Sequence, residues 1–65
     1  MEKYSRYIDG SKRLLVILNV WHKIIDQKSI PTTVDILVVN EERVISFSID
    51  EVNYWVKENL IIKIK

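Results

Sequence analysis

From Leu14 to Ile25, nine of twelve residues are apolar. Leu14, Ile17, Leu18, Trp21, Ile24 and Ile25 recur at steps of three and four, the spacing of one face of an α-helix. Lys12, Asn19, Lys23 and Asp26 fall on the other side. The pattern predicts a first helix over residues 12–28. Val16 and Val20 widen its apolar face to roughly 200°, and Leu15 intrudes beside His22; a helix on the surface of a single domain needs a stripe only a little over 100° wide. That surplus predicts a face the chain cannot cover by itself. Pro31 cannot continue a helix and biases Ile30 toward extended geometry, so Ser29–Thr32 reads as the stop.

The second half of the chain changes period. Residues 33–39 are rich in β-branched side chains and read as a strand. Asn40, Glu41 and Glu42 are turn-like. Val44, Ser46 and Ser48 alternate with Ile45 and Phe47, the mark of a half-buried strand that pairs with the one before it. Ser48 followed three residues later by Glu51 makes a capping box, with Phe47 and Val52 placed for a hydrophobic staple. A second helix is expected from Ile49 to about Glu58, with Val52, Trp55 and Val56 inward and Asn59 as a left-handed stop. Leu60–Lys65 reads as a last strand.

The N-terminal residues 1–10 admit two readings. Tyr4, Ile8, Ser11 and Leu15 could extend the first helix back to residue 3. Alternatively Gly10, at a cost of roughly 1 kcal/mol inside a helix, breaks the chain and leaves a flexible or separately folded arm. The order is then α–β–β–α–β in one domain. The expected fold is α+β, a three-stranded antiparallel sheet of order 2-1-3 packed against two helices. The alternative is a winged-helix-like fold, with residues 32–40 as a short helix and Ser48–Asn59 as the recognition helix.

Composition narrows function mainly by exclusion. A chain of 65 residues buries only about 60% of its unfolded surface, so dense packing or association must supply stability. There is no Cys and one His, which leaves no set of ligands for a zinc site. Gly10 is the only glycine, so a phosphate-cradling loop is excluded. The net charge of +1 argues against a partner held by charge alone. No apolar run reaches membrane-spanning length and no signal core follows Met1, so a cytoplasmic protein is expected.

His22, with Asp26 one turn on, lacks a nucleophile or second ligand at a telling spacing. Asp50 and Glu51 have a capping role, and Glu41 and Glu42 lie at a hairpin tip, so the carboxylates do not form an acid pair. No catalytic residue, metal, cofactor or small-molecule substrate is expected. Arg6, Lys12, Arg13, Lys23, Lys57, Lys63 and Lys65, with nearby tyrosines, are the candidate nucleic-acid contacts. Lysines on a solvated face or guarding an edge strand are the favoured explanation. The favoured expectation is a non-enzymatic interaction module, either self-associating or an accessory subunit of a larger complex. Its contact residues would be Leu15, Val16, Val20 and Trp21, with Tyr54 as a second site.

Overall fold

The segment expected as the first helix is a β-strand. A computed structural model describes residues 1–64, and Lys65 lies outside the described residues. Five strands form it: β1 (Arg6–Asp9), β2 (Leu14–Ile25), β3 (Lys28–Val38), β4 (Arg43–Ser48) and β5 (Ile61–Ile64). A single α-helix, α1 (Ile49–Lys57), joins β4 to β5, and a 3-10 turn at Val39–Glu41 joins β3 to β4. The strands form one sheet of order β4-β3-β2-β1-β5, antiparallel at every pairing. The three-stranded sheet on two helices is thereby overturned. So is the winged-helix alternative, because residues 32–38 belong to β3.

The misread period has a physical cause. Val16, Ile17, Val20, Ile24 and Ile25 are β-branched and suit a pleated strand. Leu15 and Ile17 point into the core, then a bulge places both Leu18 and Asn19 opposite Asp35. Val20, opposite Val34, is the next residue to pack on the core. Inward positions therefore step by two and then three, which mimics a helix. The wide apolar face has the same origin: strand residues apolar on both sides read as a continuous run.

Local signals in the second half hold in part: α1 forms where expected, but Val56, expected inward, is exposed, and only the Ser48 half of the capping box is made. The Ser48 hydroxyl accepts a hydrogen bond from the Glu51 amide at 3.1 Å. Phe47 meets Trp55 edge to face, with ring centroids 4.8 Å apart. Asn59 takes a left-handed φ of 58° and ends the helix. β3 and β4 form the expected antiparallel hairpin. β5, however, pairs with β1 rather than with β3, so Arg6–Asp9 is an interior strand of the sheet.

Helix α1 crosses one face of the sheet, from the β4 edge to the β5 edge. Ile49 and Val52 from the helix close over Tyr7, Leu15, Ile17, Val34, Ile36, Val38 and Ile61. Val52, Ile17 and Val34 are completely buried. The helix supplies the only layer over the sheet; the opposite face has none among the described residues.

Candidate functional site

Strand alternation assigns the residues of the open face. Every second residue beside a buried one points away from α1. Val44, Leu37, Val16, Arg6 and Ile64 are register partners in turn, forming a row across all five strands. Leu14, Ile8 and Ile62 form a second row beside it. Val44 is 54% exposed and Ile62 57%, while Leu37, Val16, Ile64, Leu14 and Ile8 are half-buried. Large aliphatic side chains thus line a face that no other element covers.

Among the described residues, charge on this part of the sheet is confined to two. Arg6 projects from β1 and is exposed. Among the described residues it forms no ion pair. Asp35 projects from β3, two strands away. One of its oxygens accepts from the Ser46 hydroxyl at 2.6 Å and the other from the Trp21 indole at 2.8 Å. These two bonds, the Ser46 one foremost, hold the Asp35 carboxyl below the usual carboxylate range, so it is ionised at neutral pH.

Beyond this face β2 and β3 run on together as an arm. Pairing of β4 with β3 ends at Thr33, and β1 pairs with β2 as far as Val16, with Tyr4 and Ser5 adding main-chain bonds to Ile17. Trp21 to Thr32 is therefore a bare two-stranded hairpin. A second bulge, at Thr32, accommodates Pro31 opposite His22. Ile24, Ile25 and Ile30 are exposed on the arm, Ile24 at 71%. Trp21 stands at its base, exposed except where its indole is tied to Asp35.

The residues singled out for contact divide. Leu15 belongs to the core and offers no surface. Val20 is half-buried against that core. Val16 lies on the open face and Trp21 beside it. Tyr54 is exposed, but on α1, across the sheet from the other two. Sequence reasoning missed Val44, Ile62 and the arm isoleucines. Unbroken apolar runs at Leu14–Leu18, Ile36–Val39 and Leu60–Ile62 were the available signal, since such runs make both faces of a strand apolar.

The basic residues do not gather. Lys12 and Arg13 lie in the β1–β2 turn, Lys23 on the arm, Lys57 at the end of α1 and Lys63 on β5, while Lys65 lies outside the described residues. Arg13 is bound to Asp9 and Glu41. A cavity of about 230 Å³ opens between the sheet and the end of α1, with Leu15, Phe47 and Trp55 in its walls. Asp9 and Arg13 at its rim are engaged with each other, so they do not offer a ligand a free charge. No helix among the described residues is long and apolar enough to cross a membrane.

Comparisons with protein-family models, curated proteins and solved structures found no match. The functional reading therefore rests on this chain's own surface.

Proposed function

We propose that this protein is a non-enzymatic protein–protein interaction module, and that it makes contact through the open sheet face and the adjoining arm. The supporting observation is the pair of aliphatic rows on that face, flanked by Trp21. Half-buried aliphatic side chains on an uncovered sheet face, with Val44 and Ile62 exposed at its edges, form an apolar surface of the kind that marks contact sites. Exposed aromatics at its margin supply rigid anchors of the sort that dominate binding energy. The partner is a second copy of the chain or a subunit of a larger assembly.

Site-specific photo-crosslinking in cells that make the full chain tests this. A photoreactive residue in place of Val44 or Trp21 is expected to give a covalent adduct heavier than the 7.7 kDa chain. The same residue in place of Asp50, exposed at the start of α1, is expected to give none. Absence of adducts from both face positions would overturn the reading.

A further inference from the structure

The charges on the open face are arranged so that the face complements itself. Arg6 on β1 pairs with Val16 of β2, and Asp35 on β3 pairs with Asn19 further along the same strand, so the two charges lie diagonally across β2, the central strand, on the same face. A two-fold axis lying in the plane of the face and crossing β2 obliquely, midway between Arg6 and Asp35, would exchange the two positions. Two copies laid sheet to sheet about it would set each guanidinium against the other copy's carboxylate. A closed two-fold interface requires that reciprocity: if one residue meets a second, the second meets the first. Asp35 spends one hydrogen bond per oxygen within its own chain. Each carboxylate oxygen has a further acceptor site for a guanidinium. A face carrying only one sign of charge would repel its copy; this one does not.

The net charge of +1 adds little repulsion between copies.

We propose that the occupant of the open face is a second copy of this chain, packed sheet on sheet with Val16 and Leu37 at the centre and two reciprocal Arg6–Asp35 ion pairs beside them. This rests on the interaction-module reading and names its partner.

Charge exchange between copies provides the test, read by sedimentation equilibrium on the full chain. The wild type is expected to be a dimer. Arg6→Glu and Asp35→Lys should each weaken it at least tenfold, because each places like charges across the interface twice. An equimolar mixture of the two variants should recover dimers of one copy of each, since every contact then joins opposite charges. Lys57→Glu, the same charge change on α1, should leave the dimer unchanged. Should Asp35→Lys fail to fold for want of the Trp21 and Ser46 bonds, Asp35→Asn takes its place, with a smaller weakening expected, and the contrast between Arg6→Glu and Lys57→Glu decides. A wild type that stays monomeric to millimolar concentration would overturn the proposal. So would Arg6→Glu dimerising like wild type, or folded variants whose mixture is no tighter than each alone. A monomeric wild type would leave the broader reading standing, because crosslinks to another protein in cells decide that separately.

Discussion

Lys12 shows how a single residue holds a tight turn against its own preference. The Lys12 amide donates to the Asp9 carbonyl at 2.9 Å, and Lys12 has a φ of 64°. A three-residue hairpin loop ends in such a left-handed residue, and glycine is the residue it favours. The chain's one glycine is two positions earlier, where φ is not positive and an added Cβ would meet nothing within 4 Å. Asp9 compensates: its Oδ1 accepts from the Ser11 and Arg13 amides, each at 2.9 Å. Lys12→Gly is expected to stabilise the fold by about 0.5–1 kcal/mol, read as a higher urea midpoint. A lower midpoint would contradict this account of the turn.

Three carboxylates tie stability to pH. Partial burial pushes Asp9 up, but its bonds from Arg13 and Ser11 outweigh this and its pKa is lowered. Asp35 is lowered by Ser46 and Trp21, and Glu41 chiefly by the hydrogen bond from Arg13. A carboxyl whose folded pKa is depressed stabilises the fold above its unfolded pKa and loses that contribution as pH falls through the folded value. The urea midpoint is expected to be level from pH 7 to about 5 and to fall below about pH 4. Asp35→Asn should flatten part of that fall. An unchanged acid limb in the variant would show that Asp35 carries none of it.

At the scale of elements, the arm is the least supported part of the sheet. Its two strands pair only with each other, and an isolated hairpin is marginal in water. Asp26 and Gln27 at its tip both have positive φ, 49° and 65°. This is the two-residue mirror-image turn that matches strand twist, and Asn-Gly is its favoured pair. Amides of Lys23 and Ile30 are expected to exchange with solvent faster than those of Leu15 and Ile17. Gln27→Gly should slow arm exchange severalfold while moving the global unfolding midpoint little. Arm exchange unaffected by the substitution would mean that the turn does not limit the arm's stability.

The elements also separate what could be read locally from what could not. Helix α1 was legible because Ser48, Glu51 and Asn59 act within a few residues of chain. The β3–β4 hairpin was legible because Ile45 and Phe47 alternate without interruption. β2 was not, because the extra residue at Leu18 shifts the phase of its inward positions. That bulge is defined by the strand opposite, which lies more than a dozen residues away. Pro31 pointed the same wrong way. It ends a helix, yet in the arm it sits at a bulge where no neighbouring strand needs its missing amide.

For the whole molecule, shape carries the functional argument. Its principal extents are 40 × 24 × 19 Å, with a radius of gyration of 12.1 Å. A compact chain of this length would have about 10.7 Å. One helix of nine residues cannot cover both faces of a five-stranded sheet. The uncovered face follows from that count of layers, and a second copy restores the two-layer packing that sheets require. The charge-exchange measurement belongs at this scale, because it reads the arrangement of two complete faces.

The amino-acid sequence alone determined a small domain rich in β-branched residues, with a capped helix near its end and more apolar residues than one layer can hide. Those features depend on composition and on interactions a few residues apart. Which strands are neighbours, where the bulges fall and which side of β2 stays open were decided only by the tertiary structure. Pairing β1 with β5 joins segments more than fifty residues apart, and no local pattern encodes that choice. The same pairing sets Arg6 on the open face, diagonally across β2 from Asp35, so the proposed contact exists only once the sheet has closed.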